Sequence, residues 1–144
     1  MDLLKLFEVY LMDEDELLPE ELDEKICVWL DKELSRFDVV VIPDFGHGFI
    51  TDKMIRVLEA KSKCMAVNTQ VNSGNRGYHA ISRYSRADLV TLNEPELRLA
   101  THNRHDSVEA LAEKVCKAVN AKHVSITRGT NGAIMLNRKG NEIQ

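Results

Sequence analysis

Residues 87–100 change their period halfway along, and that change limits the fold more than any other feature of the chain. Residues 89–92 are apolar or β-branched, the pattern of a short strand covered on both faces. From Glu94 onward Leu97, Leu99 and Ala100 bring in helical spacing. Pro95 falls in the first turn, where a missing N–H costs nothing. Asn93 and Glu96 stand at the junction as Asn-x-x-Glu. A strand running straight into a helix implies a parallel sheet with helical crossovers.

Similar units lie on both sides. Residues 38–42 read as the cleanest strand, followed by a loop carrying Asp44, Gly46, His47 and Gly48. A helix capped by Thr51 or Asp52 comes next, with Met54, Ile55 and Leu58 facing inward. Residues 63–69 form the second strand. The polar stretch 70–87 holds Gly74 and Gly77 and room for one short helical turn. After the 89–92 strand and its helix, a His- and Asn-rich loop leads to a helix that Asp106 caps, with Glu109 at the capping-box position. Its apolar stripe is Val108, Leu111, Ala112, Val115 and Val119. Residues 122–127 are the fourth strand, and Asn131-Gly132 signals a hairpin return into 133–136. The resulting class is α/β: a three-layer α/β/α sandwich, mostly parallel, with an antiparallel strand at the C-terminal end.

The start of the chain is less regular. Leu6, Tyr10, Phe7, Val9 and Leu11 alternate, which favours an edge strand over residues 3–12. Such an apolar start suggests a piece of a longer protein. An acidic run over 13–24 reads as a solvated linker and helix start, with Pro19 in the first turn. Leu22, Ile26, Trp29, Leu30, Leu34 and Phe37 then make a helical stripe. We read residues 1–144 as one partial domain, with 1–37 an edge strand and helix and 38–137 the α/β core.

The net charge of −4 excludes an electrostatic case for nucleic acid as the main partner. No apolar run approaches the ~20 residues of a membrane span. Cys27, Cys64 and Cys116 are odd in number and set among apolar neighbours, which fits reduced thiols and a cytoplasmic location.

Ligands of open parallel sheets bind beyond the carboxyl ends of the strands. Asp44–Gly48, Asn68–Arg86, Asn93–Glu96 and Thr127–Gly132 all follow strand ends, so they belong to one rim. Asp44 with Gly46 and Gly48 suits close approach of a substrate, although paired glycines occur in such loops without a ligand. Arg76, Arg83 and Arg86 have no acid among them from 68 to 87, and arginine forks suit phosphate. Salt bridges to the acidic segment explain them equally. An exposed loop histidine such as His47 is more often inert than an acid or base, and His102, His105 and Asp106 are too few for a metal site. Asn93 and Glu96 make a helix capping box, which needs no ligand. Thr127, Gly129 and Gly132 satisfy a turn.

In their order, these pieces resemble the ribokinase-like (PfkB) carbohydrate kinases, above all the kinase half of bifunctional heptose-phosphate kinase/ADP-heptose synthase proteins. The residues that carry the likeness are 39–44 with Gly46 and Gly48, Asn68, 87–96, and 125–133. The resemblance implies ATP-dependent phosphorylation of a sugar or sugar phosphate. It places Asn93 and Glu96 near Mg²⁺ and phosphate through water, and Thr127, Gly129 and Gly132 near the nucleotide. Asp44, Gly46, Gly48, Asn68 and Arg76 would lie on the substrate side. The family's Gly-Ala-Gly-Asp segment, source of the anion hole and base, does not occur in this sequence, nor does the glycine-rich sugar-binding half. Asn68-Thr69-Gln70 stands where the nearest relatives carry Asp-Pro-Lys. No catalytic base is therefore assigned, and these residues alone are expected to be inactive. The alternative is a non-catalytic α/β module that oligomerises or binds a partner chain, including the rest of the kinase fold. A Rossmann-type binder is weaker, because no Gly-x-Gly-x-x-Gly follows the first strand.

Overall fold

The structure is a computed structural model that describes Val9 and residues 18–71, 79–139 and 142–143. Apart from Val9, the 3–12 strand lies outside those residues, as do the first part of the acidic run and Gly74, Arg76 and Gly77. Helix α1 (Glu20–Glu33) precedes strand β1 (Val40–Asp44), and α2 (Asp52–Lys61) leads to β2 (Met65–Thr69). One 3-10 turn at Ile81–Arg83 precedes β3 (Leu89–Asn93), which runs directly into α3 (Glu94–Ala100). Helix α4 (Val108–Ala118) leads to β4 (His123–Thr127), then β5 (Ala133–Lys139) and the short β6 (Glu142–Ile143).

The sheet order is β1-β2-β3-β4-β5-β6, with β1 to β4 parallel and β5 and β6 antiparallel. Each strand therefore lies beside its neighbour in sequence. Right-handed crossovers that all step in one direction put their helices on one face of the sheet. Burial agrees. Ile42, Met65, Val67, Val90, Leu92, Val124, Ile126 and Leu136 share a face by register and are at most 7% exposed. They meet Met54, Ile55 and Leu58 of α2, Leu97 of α3, and Leu111, Val115 and Cys116 of α4 in one core. Each large apolar side chain so buried contributes about 1.5–3 kcal/mol.

The opposite face has no such cover among the described residues. Val41, Ala66, Asn68, Leu89, Thr91, Ser125 and Met135 lie there, and none of them is buried. Val41 is 69% exposed and Met135 53%. Of the three layers expected, the described residues supply two.

Local details depart from the sequence reading in four places. Pro19 is the N-cap of α1 and not a first-turn residue. Leu22, Trp29 and Phe37 are 45%, 57% and 49% exposed, because α1 turns Ile26, Cys27 and Leu30 to the core. Ser107, not Asp106, caps α4: its Oγ accepts from the Ala110 N–H at 3.2 Å. The Asp106 carboxylate is drawn away to Lys114 Nζ at 2.8 Å, so no capping box with Glu109 forms. The return into β5 is a 3-10 turn at Gly129–Asn131, not a two-residue Asn-Gly hairpin. Gly129 and Gly132 both take positive φ (57° and 78°), which suits the absence of a Cβ, and Arg128 N–H closes the turn on the Gly132 carbonyl at 2.8 Å.

Candidate functional site

Parallel pairing brings Asn93 and Thr127 side by side at the C-terminal ends of β3 and β4, where they are register partners. Asn93 is also the cap of α3. Its Oδ1 accepts from Glu96 N–H at 2.8 Å, and Glu96 Oε2 accepts from Asn93 N–H at 2.8 Å. Both halves of the capping box are thus present. Glu96 is 5% exposed, and its Oε1 accepts from Val71 N–H at 3.4 Å.

A pocket of about 1440 Å³ opens beside this junction. Asn93, Thr127 and Gly129 line one end, and α3 with the α3–α4 loop lines the rest. Glu94 projects into it between two arginines. Glu94 Oε1 accepts from Arg98 Nε at 3.0 Å and from an Arg98 terminal nitrogen at 2.7 Å, and Glu94 Oε2 accepts from Arg128 Nε at 3.2 Å. These two guanidiniums hold the Glu94 carboxyl below the usual range. His102 and His105 also line the pocket, with His102 at φ 49°. Among the described residues, no group of three His, Cys, Asp or Glu side chains comes together for a metal ion.

Asp44 stands apart from this end. Its register partner is Thr69, on the helix-covered face, whereas Asn68, Thr91, Asn93 and Thr127 belong to the opposite one. Asp44 is 3% exposed. Its Oδ2 accepts from the Tyr84 hydroxyl at 2.8 Å and lies 2.7 Å from His79 Nε2, and its Oδ1 accepts from Gly46 N–H at 3.3 Å. Burial pushes the Asp44 carboxyl up, but the hydrogen bonds from His79 and Tyr84 outweigh it and leave the carboxyl below its ordinary value. Burial and the bond to Asp44 push the Tyr84 hydroxyl far upward. The geometry makes Asp44 an internal anchor of the 79–84 segment.

The other expected residues fall as follows. Asn68 Nδ2 donates across the sheet to the Thr91 carbonyl at 2.7 Å. Gly46 and Gly48 take positive φ in the β1–α2 loop, and His47 stacks on Phe45 with ring centroids 6.3 Å apart. Arg83 is held by Asp52 at 2.8 Å and the Ile50 carbonyl at 3.0 Å. Arg86 bonds the Glu59 and Ser62 carbonyls and Asp88. Both arginines thus tie the 79–88 segment to α2 and its ends, which leaves little of either fork for phosphate. Sequence reasoning missed Glu94, Arg98, Arg104 and Arg128. The Glu94-x-x-x-Arg98 spacing was the available signal.

Glu96 is the residue that decides whether magnesium nucleotide fits here. Two of its roughly four lone-pair sites accept backbone N–H groups, so water-mediated contact remains open to it. Mg²⁺ usually keeps several waters, and the donor set fits it on those terms. The Asn93 carboxamide, the Thr127 hydroxyl and the pocket arginines suit phosphate oxygens.

The sequence and the fold are similar to those of known proteins. The Pelobacter propionicus bifunctional protein HldE is 27% identical over 84% of this chain and 25% of its own. The Nitrobacter hamburgensis protein of the same name is 30% identical over 77% of this chain and 23% of its own. The chain thus spans about a quarter of the length of these curated relatives. Among solved structures, Escherichia coli phosphofructokinase-2 in complex with substrates and products superposes with TM-score 0.59 at 17% identity, over 89% of this chain and 42% of that one. Ribokinase from Giardia lamblia gives 0.57 at 19% identity, over 86% and 39%. These likenesses show the ribokinase-like α/β fold. Residues 7–144 match the pfkB family carbohydrate kinase pattern, beyond the 38–137 that the motifs alone suggested, and the chain belongs to that family.

Proposed function

We propose that this chain carries the nucleotide-phosphate side of an ATP-dependent sugar or sugar-phosphate kinase site. The observation that supports it is the pairing of Asn93 with Thr127 at the mouth of one pocket with Gly129. Bound Mg·ATP would supply the phosphoryl group for in-line transfer. Asn93 and Thr127 orient the phosphates by hydrogen bonds, and Glu96 accepts from metal-bound water. Gly132 shapes the turn that holds Gly129 in place. On the substrate side, Asp44 acts indirectly by anchoring the loop of Gly46 and Gly48, and Asn68 by bracing β2 on β3. Arg76 is assigned to the substrate side by family likeness alone.

The sequence contains no Gly-Ala-Gly-Asp, so these residues by themselves bring no catalytic base. The reading is therefore binding without turnover by the 144 residues alone. Calorimetry with Mg·ATP and a coupled kinase assay with ribose or heptose phosphate test it. Heat of ATP binding with no ADP release is expected. Sustained turnover overturns the inactivity, and absence of nucleotide binding overturns the site. A cytoplasmic location goes with this reading, consistent with three free cysteines.

A second reading has its own support. The open sheet face carries no Asp, Glu, Lys or Arg on β1 to β4, and Val39, Val41 and Met135 are exposed. Parallel sheets are ordinarily covered on both faces. Association through this face, with a second copy or with the rest of a kinase fold, would cover it.

A further inference from the structure

We propose that Arg128 is the direct anion contact of the pocket, aimed by Glu94 and Arg98, and that the anion it takes is the polyphosphate of a nucleotide. This rests on reading the rim as a nucleotide site.

One carboxylate holds two guanidiniums from different parts of the fold. Glu94 takes Arg98 from its own helix on Oε1 and Arg128 from the end of β4 on Oε2. The remaining Arg98 nitrogen donates to the carbonyls of Arg104 at 3.1 Å and Asp106 at 3.2 Å. A continuous polar chain therefore runs from the α3–α4 loop, across α3, to the turn after β4. It fixes both walls of the pocket at once.

The two arginines end up differently. Arg98 spends all three nitrogens on protein acceptors, which makes it a positioning residue. Arg128 is tied only through Nε. Its two terminal nitrogens have no partner among the described residues, and its side chain is 29% exposed at the pocket. A guanidinium held from behind, with its fork free, suits bidentate contact to phosphate. Arg104 lines the same pocket, and its guanidinium also has no partner among the described residues. Asp106, the other acid of the lining, is paired with Lys114. The charge left to a ligand is therefore positive, in a chain of net charge −4.

Calorimetry on the full chain, with Mg·ATP, magnesium pyrophosphate and adenosine as separate probes, tests the assignment. Arg128→Gln is expected to weaken ATP and pyrophosphate by roughly tenfold or more, without moving adenosine. Arg128→Lys keeps the charge without the fork and recovers part of the loss. Glu94→Gln releases the aim and costs about threefold for both phosphate probes. A thermal melt accompanies each variant. Arg128→Lys carries the test if Arg128→Gln does not fold. Unchanged pyrophosphate affinity in folded Arg128→Gln, or in Arg128→Lys where that variant carries the test, overturns the proposal. So does a wild-type chain that binds no pyrophosphate. Pyrophosphate binding that depends on Arg128, without any binding of ATP, sinks the nucleotide reading and leaves the anion contact standing.

Discussion

The Tyr84 hydroxyl donates to Asp44 Oδ2 at 2.8 Å, and both side chains are buried although forty residues separate them. This bond closes the 79–84 segment over the end of β1. Removing it in Tyr84→Phe leaves a buried carboxylate with one partner fewer and should cost about 1–3 kcal/mol in urea unfolding. The same carboxylate makes stability depend on pH. Its folded value is depressed, so its contribution is complete above the ordinary carboxyl value of about 4 and is lost as pH falls through the lower folded value. The gap in stability between wild type and Asp44→Asn should therefore narrow as pH falls from about 4 toward 2. A gap that widens over that range contradicts this.

Thr51 does two jobs with one oxygen. Its Oγ1 accepts from Met54 N–H at 3.1 Å as the cap of α2 and donates to Asp23 Oδ1 of α1 at 2.6 Å. Thr51→Ala should cost about 2 kcal/mol, toward the upper end for a cap. Thr51→Ser keeps both bonds and should lose less than about 0.5 kcal/mol. Equal losses in thermal melts would show that the methyl group matters and the hydroxyl does not.

Thr127 and Asn93 should separate binding from folding. Thr127 is exposed at the end of β4, whereas Asn93 completes the capping box. Thr127→Val is expected to weaken Mg·ATP by about fivefold with an unchanged melting temperature. Asn93→Ala should do both, losing about 1 kcal/mol of stability through the cap. A Thr127→Val protein with wild-type affinity removes the hydroxyl from the site.

The open face of the sheet makes its own prediction. At high concentration the chain should scatter light above its 16.4 kDa monomer mass. Val41→Lys, at a position 69% exposed, should shift the population toward monomer with little change in stability. A clean monomer at every concentration removes association with a second copy.

Much of this architecture was legible because period and caps are local. The switch at Asn93, the Thr51 cap and the capping box with Glu96 all follow from neighbours within four residues. What was not legible depends on register and distance. Parity along β1 puts Asp44 with Ile42, but only the pairing of β1 through β4 shows that Asn93 and Thr127 look the other way. Tyr84 and His79 meet Asp44 only after the chain has crossed α2 and β2. Asp106 and Ser107 compete for one cap, and the choice fell to Lys114, eight residues on.

The sheet order has a consequence for how the chain forms. Every described strand adds to the edge left by the one before it, so none of them must wait for a later one. As the chain leaves the ribosome from its N-terminus, β1 and β2 can pair while β4 is still unmade, and the sheet can grow in the order of synthesis. Its contacts stay short-range in sequence for a parallel sheet, which favours fast folding. The bridge of Glu94 to Arg128, and with it the pocket, is completed only when β4 has docked.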